Sequence, residues 1–305
     1  MEVVGTVLSI FLLLFIGYGT KKVRLLRAAD AELLNTVVIY ITLPAFVFEA
    51  LYSYREPIPL SIVKVPILGF AMMMVVLAAA YLIGRAFRLG GRTLGALMIV
   101  SAFGNTGFLG YPVVKAAFVE KSALVTAVMY DELGMALPLY TLGVAIAMAF
   151  GGQRLNGGYM LRFFKLPLIW TMAAALLLRP FELPQPLLAA VGYLASGTIP
   201  LVMLSLGLSL SASSLKGFVA PVLVGCALKL GLLPLLTHYV LLAGGVEGVM
   251  HRVTVLESGM PTALMSGVIA SRFGADGRFA AGVIFVSTLL SILTIPGILL
   301  ILGAS

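Results

Sequence analysis

The sequence predicts an all-α polytopic membrane protein of about ten transmembrane helices, organised as two inverted five-helix repeats over residues 1–150 and 151–305. Three observations carry that expectation: an apolar composition, a succession of apolar runs of bilayer length, and prolines that recur in the same order in both halves. Hydrophobic residues make up 61% of the 305 and charged residues 10%, and the mean hydropathy is +1.12. Such values belong to chains solvated by lipid, so the bilayer is the first partner this chain requires.

A helix needs about 20 predominantly apolar residues to cross ~30 Å of hydrocarbon. Runs of that kind lie at 2–20, 32–54, 60–84, 93–118, 122–149, 163–179, 186–212, 216–243, 249–271 and 277–303. The first is followed, not preceded, by Lys21, Lys22, Arg24 and Arg27 and ends in no small-residue cleavage site, so it reads as a mature helix and not as a secretory signal. A polar, glycine-rich stretch at 151–162 reads as the linker between the halves.

The formal charge of +8 does not point to nucleic acid, because the basic residues sit at helix ends. If loops alternate, one side collects the basic residues of 21–27, 85–92, 154–165, 216 and 272–278. The other receives only Arg55, Lys64, Lys115, Lys121, Arg179 and Arg252. The richer side is expected to be cytoplasmic, which places both termini outside a plasma (inner) membrane. The single Cys226 has no disulfide partner and reads as a small core residue.

The repeat is read from prolines: Pro44 with Pro200, Pro66 with Pro221, Pro112 with Pro261 and Pro138 with Pro296, each pair about half the chain apart. Thr42-Leu43-Pro44 parallels Thr198-Ile199-Pro200. An odd number of spans per half inserts the second half upside down, the arrangement from which many carriers obtain two mirror-related conformations.

Two apolar runs are interrupted, at Gly104-Asn105-Thr106-Gly107 through Tyr111-Pro112 and at Glu257-Ser258-Gly259-Met260-Pro261-Thr262. A break at mid-membrane depth frees backbone groups that hydrocarbon cannot satisfy. Two such breaks, one in each half, mark where secondary transporters hold substrate. Asn105, Thr106, Gly107, Pro112, Ser258, Pro261 and Thr262 are therefore the expected substrate-binding residues. Half-helix N-termini at the break offer a seat for a carboxylate, although Asn105 also suits a plain helix cap.

Counted from the helix ends at ~1.5 Å per residue, Asn105, Asp131, Glu132, Lys229 and Glu257 all approach the bilayer centre. Charges there are expensive and need a partner or a role. Glu257, beside the freed backbone, is the first expected ion-coupling residue, as a proton carrier or as a ligand for Na+. Asp131 and Glu132 follow, and one of them either pairs with Lys229 or titrates. Adjacent helix positions point about 100° apart, so only one of the two, Asp131, is expected to face the site. His238 and His251 show no metal-ligand spacing, and no cofactor beyond a coupling Na+ or H+ is expected.

On the stretches Asn105-Thr106-Gly107-Phe108-Leu109-Gly110-Tyr111-Pro112, Leu204-Ser205-Leu206-Gly207-Leu208, Glu257-Ser258-Gly259-Met260-Pro261-Thr262-Ala263 and Ser287-Thr288-Leu289-Leu290-Ser291, the chain resembles the auxin efflux carrier family. That family includes plant carriers and bacterial permeases assigned to malate or malonate. The resemblance implies a fold like that of bile acid sodium symporters, with spans 1, 2, 6 and 7 as a scaffold and spans 3–5 and 8–10 as a mobile domain. It also implies crossing of the broken spans 4 and 9, and a homodimer. Plant carriers have Gln where Glu257 stands and a far longer central loop, which argues against auxin as substrate.

The expected function is secondary transport of a small organic anion, a carboxylate, by elevator-type alternating access coupled to an ion or potential gradient. A sodium-coupled symporter of bile-acid type is the alternative. An intramembrane enzyme is disfavoured because no second aspartate accompanies Tyr130-Asp131 in the membrane, and no zinc-protease or nucleophile-elbow motif is present. A channel is disfavoured because charges do not recur in rings.

Overall fold

The computed structural model describes residues 2–155, 157–160, 164–210 and 219–303, with the side chains of 2–4, 6 and 160 left aside. Arg162 and Lys216, two of the basic loop residues, and Asn156 of the linker lie outside the described residues. The described residues form α1 (Glu2–Lys22), α2 (Asp30–Tyr52), α3 (Leu60–Ala86), α4 (Gly91–Ala102), α5 (106–117), α6 (Lys121–Gly151), α7 (Pro167–Leu178), α8 (Gln185–Ser209), α9 (Val219–Ala243), α10 (Gly248–Ser258), α11 (Leu264–Arg272) and α12 (Gly277–Ile301), with a single helical turn at Gly157–Met160. No strand occurs among the described residues, and α2, α3, α6, α8, α9 and α12 are long and apolar enough to cross a membrane. The chain is an all-α polytopic membrane protein.

Two of the apolar runs are split, one into α4 and α5, the other into α10 and α11. The run expected at 163–179 yields only the 12-residue α7. Pro167 stands in its first turn, where the missing N–H costs nothing, and sets where the helix starts. Twelve residues rise only about 18 Å, so this span is shorter than the composition predicts.

The loops gather into the two sets that alternation requires. At one end Arg92 Nε donates to the Gly274 carbonyl (2.6 Å), Thr93 Oγ1 to Asp276 Oδ2 (2.9 Å), and Lys21 Nζ to the Leu208 carbonyl (2.7 Å). At the other end Lys64 Nζ donates to Gly244 O (2.9 Å), Arg179 Nη2 to Glu56 O (2.6 Å) and Arg252 Nη2 to Glu120 Oε1 (3.0 Å).

The first and seventh spans meet backbone to backbone. A side-chain carbon at Gly207 of α8 would collide with Leu14 O of α1, and one at Gly17 of α1 with Leu204 O of α8. Small residues permit this approach, which is how helices associate in lipid without a hydrophobic driving force. Alongside, Ser205 Oγ donates to Asn35 Oδ1 of α2 (2.6 Å). The Leu-Ser-Leu-Gly-Leu run thus has a packing reason.

Five segments among the described residues wind as π-helix: 38–42 in α2, 106–110 in α5, 130–136 and 139–143 in α6, and 228–232 in α9. π-turns are rare and concentrate at functional sites. All five converge on the place where the broken helices cross.

Replacing Gly207 by Val should overpack the α1–α8 contact at a cost of about 1–3 kcal/mol. It should lower the melting temperature in detergent, whereas Gly19→Ala, with open space around it, should not. Equal melting of the two variants would contradict this packing.

Candidate functional site

Each break has a local cause. In the second, Pro261 lacks an N–H and cannot continue the ladder of α10, which closes with Gly259 N donating to Val255 O (3.1 Å) and Met260 N to Glu257 O (3.1 Å). Ala263 is extended before α11 begins. In the first, α4 ends at extended Phe103, and Asn105 (φ −84°, ψ 57°) turns the chain into α5.

The freed backbone groups satisfy one another. Asn105 N donates to Pro261 O at 2.7 Å and Ala263 N donates to Phe103 O at 3.0 Å, so 103–105 and 261–263 form a short antiparallel bridge centred on Gly104 and Thr262. Side chains complete the accounting. Thr262 Oγ1 donates to Val100 O (2.8 Å), Ser287 Oγ accepts from Thr262 N (3.2 Å), and Met135 Sδ accepts from Gly104 N (3.2 Å). Lys229 Nζ donates to Ser258 O (2.6 Å), a cation at the C-terminal end of α10 where the helix dipole favours it.

A cavity of about 110 Å³ opens against this bridge, bounded by Ile39 and Leu43 of α2, the turn Gly104–Phe108, the acids Asp131 and Glu132, and Leu264 and Met265 of α11. That is room for several waters or one small solute. Asn105 is the N-terminal flank of α5, but its side chain makes no capping bond. Instead its carbonyl accepts from Leu109 N and Gly110 N, both at 3.1 Å. The amide is thus left at the cavity wall beside Thr106, Gly107 and Phe108, whose N–H groups begin a helix and have no partner within it.

Both Asp131 and Glu132 line the cavity, which corrects the expectation that only one faces it. They sit in the π-helical 130–136 segment, whose looser winding turns successive side chains through a smaller angle. Thr106 Oγ1 donates to Asp131 Oδ1, while Glu132 Oε1 has no partner among the described residues.

Glu257 lies behind the crossing and not on the cavity. It is fully buried, both its oxygens lack partners among the described residues, and it packs so closely on the Gly110 backbone that no side chain would fit there. The anticipated carboxylate pair with Lys229 is absent: among the described residues the ion pairs are Arg27–Asp30 (3.2 Å) and Arg252–Glu120 (3.0 Å). Pro261 and Thr262 serve the bridge, Ser258 holds Lys229 through its carbonyl, and Pro112 sits in the first turn of the α-helical part of α5 at Tyr111–Ala117, clear of the cavity.

Sequence reading missed the apolar wall from Ile39, Leu43, Ala136, Leu139 and Tyr140, because nothing in one chain reports that α2 and α6 pack around the crossing. It also missed Tyr111 and Tyr130, both fully buried beside the acids. Their place directly after the Gly-rich turn and beside Asp131 was the available signal. His238 and His251, which sequence spacing keeps apart, meet with ring centroids 4.8 Å apart and planes tilted by 60°.

Residues 2–299 match the family described as membrane transport protein. An uncharacterized transporter of Methanocaldococcus jannaschii is 32% identical over 296 residues, covering 95% of each chain. One of Methanothermobacter thermautotrophicus is 32% identical over 293 residues, again covering 95% of each. A Rhizobium meliloti protein named "Putative malonate transporter" is 29% identical over 310 residues, covering 98% of this chain and 95% of its own. With its helices broken and crossed in mid-bundle and its whole length matched, the chain belongs to the membrane transport protein family of auxin efflux carriers and their microbial relatives.

Proposed function

We propose that this membrane transporter is a secondary active carrier of a small organic anion, a carboxylate, bound at Asn105 and the first turn of α5. The observation that carries the reading is the amide of Asn105, released from capping and set on the cavity wall beside open N–H groups. Helix N-termini and an amide donor recognise carboxylate oxygens. The cavity's small volume and the kinship with a relative named for malonate favour a short dicarboxylate.

An anion beside Asp131 and Glu132 meets two carboxylates that have no ion-pair partner among the described residues. Buried like charges repel strongly unless neutralised, so a proton or Na+ must accompany the substrate. Asp131, on the cavity and bonded to Thr106, is the first candidate to carry it. Glu257 is the second: it touches Gly110 of the same half-helix, so its charge acts on α5 from behind. Lys229, holding Ser258 O, is placed as an internal counter-charge.

Transport then proceeds by elevator-type alternating access of two inverted repeats, with the basic-rich loop set cytoplasmic and both termini outside. The gathering of loops into two sets supports that topology.

Asn105→Ala should weaken malonate binding at least about tenfold, the loss expected for hydrogen bonds to a charged group, while the protein stays monodisperse. Unchanged affinity in folded variant would sink the site. Asp131→Asn keeps the shape but removes the titrating charge. In proteoliposomes it should abolish malonate accumulation driven by a pH or sodium gradient while exchange persists, and Glu257→Gln should reduce accumulation less. Wild-type accumulation by Asp131→Asn, with the same dependence on pH and sodium, would move coupling to Glu257.

A further inference from the structure

We propose that Arg272 and Lys165 form an anion-collecting mouth, a transient carboxylate station that feeds the central cavity from the end where the basic loops gather. The inference deepens the carrier reading and rests on it for the identity of the anion.

Two further cavities lie outside the central one. The first, about 630 Å³, runs between α2, the end of α8, α11 and α12, and its polar lining includes Asn35, Ser271 and Arg272. The second, about 500 Å³, is lined by Tyr140, Tyr159, Lys165 and Arg272. Ile39 and Met265 are walls of both and of the central cavity, so the three spaces adjoin at those two apolar side chains. At the opposite end a cavity of about 230 Å³ shares no wall with the central one and carries an acid, Glu247. The two outer cavities that adjoin the central one lie at the end where Arg272 and Lys165 stand.

Arg272 lines both outer cavities and is the last residue of α11, whose first residues, Leu264 and Met265, line the central one. Eight residues of helix separate them by about 12 Å. That is too far to touch an anion held at Asn105, and comparable with the ~10 Å screening length at 0.1 M salt. Arg272 is therefore placed to capture and steer, not to hold. Its guanidinium lies 5.9 Å from the Phe273 ring centroid, and neither Arg272 nor Lys165 belongs to an ion pair among the described residues. Both side chains are exposed. Basic residues lining a cleft with low-dielectric walls raise the local concentration of anions.

The test uses charge-selective labelling in the full-length protein. A cysteine is introduced at Ala136 or, independently, at Leu264, both lining the central cavity, in a Cys226→Ala background. It is modified with an anionic sulfonate methanethiosulfonate and with neutral methyl methanethiosulfonate. Arg272→Gln with Lys165→Gln should lower the anionic-to-neutral rate ratio about tenfold at low ionic strength, leave the neutral rate unchanged, and lose its effect in 1 M salt. Arg272→Lys should restore the ratio. In the same variants the KM for malonate should rise with little change in maximal rate. An unchanged ratio, or a central cysteine that neither reagent reaches, overturns the mouth. If malonate is not transported by the wild type, the carrier reading fails for that anion, while the reagent ratio still decides the mouth.

Discussion

The structure depends on one exchange of backbone hydrogen bonds, Asn105 N to Pro261 O and Ala263 N to Phe103 O. In hydrocarbon a broken helix exposes N–H and C=O groups that cost several kcal/mol each. Here each break supplies what the other lacks, so neither is tolerable alone and the two must meet at the same depth. Thr262, Ser287 and Lys229 fill what the exchange leaves open. This is why polar groups from α9, α10, α12 and the two breaks collect in one layer.

The same constraint leads to chemistry. A crossing of four half-helices sets two N-terminal ends, α5 and α11, against the cavity, and such ends favour anions. Asp131 and Glu132 oppose that preference, and among the described residues no cation pairs with them. A cavity that attracts an anion by its backbone and repels it by its acids binds it well only when the acids are neutralised. On the carrier reading we propose, co-binding of substrate and cation follows from that competition. The convergence of all five π-segments on the crossing gives the site wide, underwound turns that are less committed to one ladder than α-helix is.

Much of this was legible in the sequence. The apolar runs give the spans, because lipid leaves few alternatives to helix, and the breaks at Gly104-Asn105 and Met260-Pro261 announce themselves through residues that end helices. The likeness to auxin efflux carriers lay in the same stretches. What was hidden is whatever depends on winding or on packing between distant segments. Asp131 and Glu132 share the cavity because α6 is locally π-helical, which no residue pattern announces. Glu257 was ranked first on its nearness to Pro261 in sequence, yet its side chain turns behind the crossing onto Gly110. Lys229 found a carbonyl, not a carboxylate, because the end of α10 was the nearer negative charge. The short α7 follows from Pro167, which the hydropathy of 163–179 masks.

The most direct measurement is the melting temperature of the purified protein against a panel of small mono- and dicarboxylates, with and without sodium, at several pH values. A ligand that binds only the folded state raises that temperature by mass action. The account predicts stabilisation by a short dicarboxylate that grows as pH falls or sodium is added, and none by organic cations. Stabilisation that is indifferent to both pH and sodium, or that appears with cations in place of carboxylates, would contradict it.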